Sequence, residues 1–356
     1  MIEPTWELHG LKLSYFTGKL EAWLRVRGIP YRFVEMDLAG FRACARATGV
    51  AQMPALRSPD GEWLTDTTAI LRRLETEAPG PALQPAAPLA AFFSLFLEDA
   101  FDEWLWRPAL YYRWAFPEDA RLMSRRIAAT LMRDLPLPLF LKAEVMRRRQ
   151  QKVYLRQDGI TRATAPSVAR LYLEVLDALE PVLARRPYLF GSRPVAADFG
   201  LFGPLFRHFS IDPTPAAILR ERAPAVLAWT ARLWNEGPDR IAAETLPLEA
   251  PADLDPLLRL AARDHLPELA ANAAALAEGR TVNRFVRDGV EWRLPVAPYR
   301  AHCLEDLRSA FAGLGPASRA EALERLGPEA TTLTSAASSS PAHARPGGRI
   351  RNRLWN

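Results

Sequence analysis

Gln52-Met53-Pro54-Ala55-Leu56 opens onto a short stretch, 53–58, that reads as a β-strand with a proline inside it. Proline has no N–H to give to a strand ladder, so it belongs at a sheet edge or in an unusual geometry. A cis bond costs little before proline. A trans edge-strand proline fits these five residues too. In cis, Pro54 would turn the backbone of Met53 toward a ligand, where its N–H and C=O pair with an extended peptide as an added strand.

The flanking sequence builds a small α/β unit around this segment. Residues 6–9 (WELH), between Pro4 and Gly10, read as a strand. The run 18–27 has apolar Leu20, Trp23, Leu24 and Val26 at helical spacing, with Gly28 as its stop. YRFVEM at 31–36 alternates as a second strand, and 40–48 is a short polar helix. Strands at 53–58 and 62–64 face each other across Ser58-Pro59-Asp60-Gly61. A helix at 65–77 ends before Pro79-Gly80-Pro81. The predicted order is βαβαββα, giving a first domain over residues 1–82.

Residues 83–88 (LQPAAP) read as a linker. Helical spacing then dominates a second domain, 88–245, with breaks at 136–138, 158–159, 186–187 and 212–215. An extension, 250–313, opens as a helix and carries a predicted hairpin at 282–294, where Asp288-Gly289 separates VNRFVR from VEWRL. Residues 315–356 turn to Ala, Ser, Gly, Pro and Arg, including Ser338-Ser339-Ser340, and are expected to form a disordered tail.

Composition sets the outer limits. Of 356 residues, 49% are hydrophobic and 24% charged, enough apolar material for a sizeable core. The net charge of +5 arises from 46 basic and 41 acidic residues that are largely interleaved, which argues against a nucleic-acid partner. Cys44 and Cys303 form no CxxC or metal-ligand pattern, so no metal site and no disulfide framework is expected, and a cytoplasmic setting fits best. No basic-then-apolar leader and no uncharged run of membrane-spanning length is present, so no membrane partner is expected.

Three polar loops lie near one set of strand ends. In Leu13-Ser14-Tyr15-Phe16-Thr17-Gly18-Lys19, a hydroxyl sits beside free backbone N–H groups and the positive end of a helix dipole, a setting that favours an anion such as a thiolate. A hydrogen bond donated to the ionised thiol raises its reactive fraction at neutral pH. Ser14 and Thr17 also fit a simple helix cap. The second loop is that of Met53 and Pro54. In the third, Leu64-Thr65-Asp66-Thr67-Thr68-Ala69-Ile70, Asp66 and Thr67 can cap a helix whose N–H groups also suit a carboxylate. Together the loops could receive a small acidic peptide.

The run SYFTGKLEAWLRVRGIPYRF, then QMPAL, then LTDTTAIL resembles the N-terminal domain of the glutathione transferases, with its SPxxxK-like loop, xVPxL segment and ESxAI motif. PYLFGSRPVAADFGLFGPL at 187–205 resembles the helix-start motif of that family's second domain. The resemblance covers about residues 5–240. It implies a thioredoxin-like first domain, an all-helical second domain, glutathione as co-substrate, an apolar electrophilic small molecule as second substrate, and a homodimer. Residue by residue, Ser14 matches the serine or cysteine that stabilises the thiolate, with Thr17 in the same loop. Met53 and Pro54 match the pair holding the cysteinyl backbone, and Asp66 with Thr67 the pair taking the γ-glutamyl end. Lys19 lies at the family's basic position and, with Thr17, is expected among the glutathione-binding residues, and Asp198 matches a folding determinant. Tyr15 replaces the usual loop proline and is compatible with acting as the thiol donor itself, as in the tyrosine-using classes. Val195 stands where a serine or threonine cap is usual. The resemblance gives 250–313 no role. Rival readings are a binding or scaffold protein that kept the fold without the chemistry, and glutathione-dependent reductive cleavage or peroxide reduction.

Other features carry weaker signals. Trp104, Trp106, Tyr111, Tyr112 and Trp114 crowd one helical stretch and fit either core or a second-substrate pocket. Arg147-Arg148-Arg149 with Lys152 reads as a solvated face. His302-Cys303 and His9 read as packing residues. RIRNR at 349–353 is a basic tail.

Overall fold

The computed structural model describes residues 5–334. Its first unit runs β1 (Trp6–Gly10), α1 (Tyr15–Arg27), β2 (Tyr31–Glu35), α2 (Leu38–Thr48), β3 (Ala55–Arg57), β4 (Trp63–Leu64) and α3 (Thr67–Glu77). The strands form one sheet in the order β2-β1-β3-β4, with β1 parallel to β2 and the other two pairings antiparallel. This is the thioredoxin-like βαβαββα order expected from the strand and turn cues. One boundary differs: the strand expected from residue 53 begins at Ala55, so Met53 and Pro54 lie just ahead of the ladder.

Local chemistry fixes the helix ends. Ser14, Asp37 and Asp66 cap α1, α2 and α3 with their side-chain oxygens, and Gly28 ends α1 at a φ of 71°. The buried Arg27 guanidinium donates to the carbonyls of Leu74, Ala78 and Pro81, supplying partners for the orphan groups where α3 ends.

The helical unit comprises α4 (Pro88–Trp104), α5 (Trp106–Ala115), α6 (Pro117–Leu131), α7 (Leu139–Arg149), α8 (Leu155–Gln157), α9 (Ala165–Leu183), α10 (Ala196–Pro204), α11 (Pro213–Arg222), α12 (Pro224–Trp234) and α13 (Pro238–Ala243). A wider turn over Gln150–Tyr154 joins α7 to α8. Val195 offers no side-chain cap, but the other half of the box remains. Asp198 Oδ2 accepts from Val195 N at 3.0 Å, and Oδ1 from Leu189 N at 3.0 Å. Burial pushes the Asp198 carboxyl up to about 7, opposed by these N–H donors.

The chain continues through α14 (Asp255–Ala277), the hairpin β5 (Val282–Arg287) and β6 (Val290–Pro295), α15 (Pro298–Ala312) and α16 (Pro316–Leu326). The expected hairpin is present. Asp288 and Gly289, both at positive φ, make its two-residue turn. Residues 316–333 depart from the expected disordered tail. The helix α16 and the following 3-10 turn, Pro328–Leu333, bury Ala322, Leu326, Ala330 and Leu333 at helical spacing. The serine run and RIRNR lie outside the described residues.

The extension shares the core of the helical unit. Leu257, Leu258, Ala261 and Leu269 of α14 join the same apolar cluster as Phe93, Phe96 and Leu97 of α4, and Phe311 of α15 meets Phe92. Trp292 and Leu294 of β6 lie over Gly159, which has a φ of 70°. A Cβ there would stand 2.6 Å from Leu294 Cδ2 and 3.2 Å from Trp292 Cε3. Gly159→Ala is therefore expected to destabilise the protein by about 1–3 kcal/mol, from combined backbone strain and overpacking. A melting temperature equal to that of wild type would contradict this account of the hairpin seat.

Candidate functional site

Antiparallel pairing brings the three polar loops to one edge of the sheet. The Ser14 loop follows the C-terminal end of β1. Since β3 runs opposite to β1, Met53-Pro54 enters at that same end, and β4, opposite again, leaves Asp66 there. The Met53–Pro54 bond is cis. Pairing of β1 with β3 stops at His9 and Ala55, so Met53 lies past the last rung.

At Ser14 the backbone N–H donates to the Leu11 carbonyl at 3.0 Å, and Oγ accepts from Thr17 N at 3.4 Å. Accepting this cap bond uses a lone pair and leaves the hydroxyl proton for an anion at the N-terminus of α1. The loop is anchored from α5. Arg113 Nη1 donates to the Leu13 carbonyl at 2.9 Å, while Nε and Nη2 fork onto Asp212 at 2.8 and 3.0 Å. Sequence reading missed Arg113. Nothing local distinguishes it from other arginines, because its partners lie about a hundred residues away.

The other expected residues of this loop point inward. Tyr15, taken as an alternative thiol donor, is buried in the core with its hydroxyl donating to the Phe101 carbonyl. Burial, reinforced by Asp102 and Glu103, raises its phenol well above the usual range, the opposite of what an easily ionised donor requires. Thr17 is fully buried against Gly10 of β1, and a Cβ on that glycine would meet Thr17 Oγ1 at 2.5 Å. Lys19, also buried, pairs with Asp102 and, at 2.6 Å, with Glu98. Neither Thr17 nor Lys19 presents its side chain to a ligand.

Asp66 has φ 71° and ψ 106°, a region few non-glycine residues adopt, and is held there as its Oδ1 accepts from Thr68 N at 3.1 Å and Ala69 N at 3.4 Å. Strained residues of this kind persist only where their surroundings over-determine them, and they cluster at ligand sites. Thr67, the first residue of α3, is mostly buried.

The aromatic stretch divides in two. Trp104, Tyr112 and Trp114 are core residues. Half-buried Trp106 stacks on Phe16, two residues after Ser14, with ring centroids 5.8 Å apart, and partly buried Leu13, Met53, Trp106 and Tyr111 all pack against one apolar cluster. Arg147 and Arg148 pair with Glu144 on an exposed face. Exposed His302 and buried Cys303 stand on α15, and His9 packs on Trp63 while pairing with Glu7. Among the described residues, no group of three or more His, Cys, Asp or Glu is placed to hold a metal ion, and no helix is long and apolar enough to cross a membrane.

Residues 8–82 match the family described as glutathione S-transferase, N-terminal domain, and residues 158–232 match glutathione S-transferase, C-terminal domain. The chain belongs to the glutathione S-transferase superfamily. Similar solved structures include a glutathione S-transferase from Pseudomonas fluorescens, at 20% identity over 65% of this chain and 95% of that one, with a TM-score of 0.36. A beta-etherase from Sphingobium sp. strain SYK-6 aligns at 20% identity over 67% and 97%, TM-score 0.45. Rice GST1, solved in complex with glutathione, aligns at 20% identity over 68% and 90%, TM-score 0.44. No curated protein matches the chain.

Proposed function

We propose that this chain is a glutathione transferase. The observation that carries the reading is the convergence, at one sheet edge, of the Ser14 hydroxyl at a helix N-terminus, the Met53 backbone beyond the ladder, and the strained Asp66 cap. Glutathione lies across that edge as an extended peptide. Its cysteinyl backbone pairs with Met53, and its γ-glutamyl carboxylate meets the free N–H groups opening α3 at Asp66 and Thr67. Its sulfur faces Ser14.

The chemistry follows from that placement. The Ser14 hydroxyl donates to the ionised sulfur, and the α1 dipole favours the same charge, so the thiol loses its proton to solvent more readily. The thiolate attacks the electrophilic carbon of an apolar substrate bordered by Trp106, Tyr111 and Phe16. A carbon–sulfur bond forms as the leaving group departs with its electron pair, or as the pair moves onto an acceptor atom. Ser14, rather than Tyr15, is the donor in this reading, because the Tyr15 hydroxyl is committed to Phe101. A homodimer and a reducing cytoplasm, where buried Cys44 and Cys303 stay as thiols, belong to the same proposal.

A ligand that binds only the native state must stabilise it. Glutathione at about 100 times its Kd is expected to add about 2.7 kcal/mol. A melting temperature raised by several degrees in millimolar glutathione is the expected result, and an unchanged one would sink the proposal.

A further inference from the structure

Residues 117–157, from the start of α6 to the end of α8, hold ten basic and four acidic residues, a net +6 against +5 for the whole chain. The rest of the protein is close to neutral, and its positive charge is concentrated here. Arg125, Arg126, Arg148, Lys152 and Arg156 are exposed, and Arg147 and Arg148 share the single carboxylate of Glu144.

Between α6 and α7 the chain exposes six consecutive apolar residues, Pro136-Leu137-Pro138-Leu139-Phe140-Leu141, and Phe140 is 66% accessible. A surface that meets only water avoids runs of this kind. The turn is tied down at the start of α2: Arg133 Nη2 donates to the Glu35 carbonyl at 2.9 Å and lies 3.1 Å from Asp37 Oδ2, and Ala39 N donates to Asp134 Oδ2 at 3.1 Å. Its backbone also suits an apolar phase. The two prolines have no N–H, and Leu137 and Leu141 donate theirs to the carbonyls of Leu135 and Pro138 at 2.9 and 3.1 Å.

The apolar run continues into the basic one along one face of α7. Leu141, Val145 and Arg148 stand at helical spacing and are exposed, while Ala143 and Met146 face the core. From Leu141 to Arg148 the helix advances about 10 Å. That matches the depth over which an interfacial segment passes from acyl chains to headgroup phosphates.

We propose that the tip of the α6–α7 hairpin docks on an anionic lipid bilayer, with Leu137, Phe140 and Leu141 at the acyl boundary and the basic residues of α7 and α8 on the phosphates. Such a contact lies in the plane of the interface and needs no spanning helix, so it departs from the sequence expectation of no membrane partner, which rested on spanning length. Charge argues against two other occupants. A second copy of the same face would set +6 against +6, and a nucleic acid would leave the apolar run in water. The proposal is independent of the glutathione chemistry.

The test is flotation of the full-length protein with vesicles of phosphatidylcholine alone and with vesicles holding about three parts in ten phosphatidylserine. Wild type is expected to bind the anionic vesicles at least about tenfold more tightly than the neutral ones. Phe140→Ser combined with Leu141→Ser is expected to weaken that binding by about tenfold or more at an unchanged melting temperature, since both side chains are already exposed. The basic tail RIRNR stays in this variant, so vesicle binding equal to that of wild type overturns the proposal. Wild type that ignores anionic vesicles overturns it too, whether or not it binds duplex DNA. Conversion of a wild-type dimer to monomers by the same two substitutions, with no loss of vesicle binding, assigns the face to a second copy and also overturns it. If the variant does not fold, an environment-sensitive fluorophore on Phe140→Cys decides, because Cys44 and Cys303 are buried. Blue-shifted emission on anionic vesicles supports the proposal, and unshifted emission overturns it.

Discussion

Replacing Arg107 with alanine is expected to destabilise the protein by about 3–5 kcal/mol. Arg107, on α5, is 1% exposed and forks onto Glu268 of α14, with Nη1 2.7 Å from Oε2 and Nη2 2.5 Å from Oε1. Its Nε donates to the Asp158 carbonyl at 3.1 Å. Truncation leaves Glu268 buried and loses a fork between elements 161 residues apart. Arg300, 3.3 Å from Glu268, and Arg287, at 4.0 Å, remain to soften the loss, which places it toward the lower end of that range. Denaturant midpoints at pH 7 check it, and a change under about 1 kcal/mol would contradict it.

The same carboxylate fixes a pH dependence. Burial alone would raise Glu268, but Arg107 and Arg300 outweigh it and hold the group down to about 2, below the ordinary 4.5. A carboxyl depressed on folding contributes stability that is complete above about 4.5 and lost as the pH falls toward about 2. Wild type should weaken across that window, and Arg107→Ala should weaken less.

The second large effect concerns activity. Ser14→Ala is expected to lower the conjugation rate at neutral pH by about 10- to 100-fold, as removing the donor lets the bound thiol drift back by one or two pKa units toward its free value near 8.5. Glutathione affinity should change only a few-fold, because the proposed contacts at Met53 and Asp66 are untouched. The variant should recover rate as the pH is raised toward 9, whereas an enzyme broken by misfolding would not. Loss of the cap costs about 1 kcal/mol or less, since that bond is already long at 3.4 Å. A wild-type rate in the variant would remove Ser14 from the mechanism.

Much of the first unit was legible because its cues are local. Pro54, the turn at Ser58–Gly61 and the stop at Gly28 each act within a few residues, and the element order βαβαββα follows from such cues. Tyr15 was misread although the signal was present. Once Ser14 is the cap, Tyr15 and Lys19 stand four residues apart on one helix face, and that face meets Phe101 and Asp102 of α4. The ordered stretch 316–333 was hidden by its small residues, since Ala322 and Ala330 hold core positions where larger side chains would have declared a helix. Arg113, Asp102 and the Arg107–Glu268 fork could not be read at all. Their meaning lies in partners from 83 to 161 residues away, which no local pattern brings together.

The most direct test of the central claim is a crystal structure of the protein with glutathione bound. The account predicts the peptide extended along the sheet edge, its cysteinyl backbone on Met53, its γ-glutamyl end at the start of α3, and its sulfur about 3.2–3.5 Å from Ser14 Oγ. A sulfur out of reach of Ser14, or a peptide bound away from that edge, would contradict it.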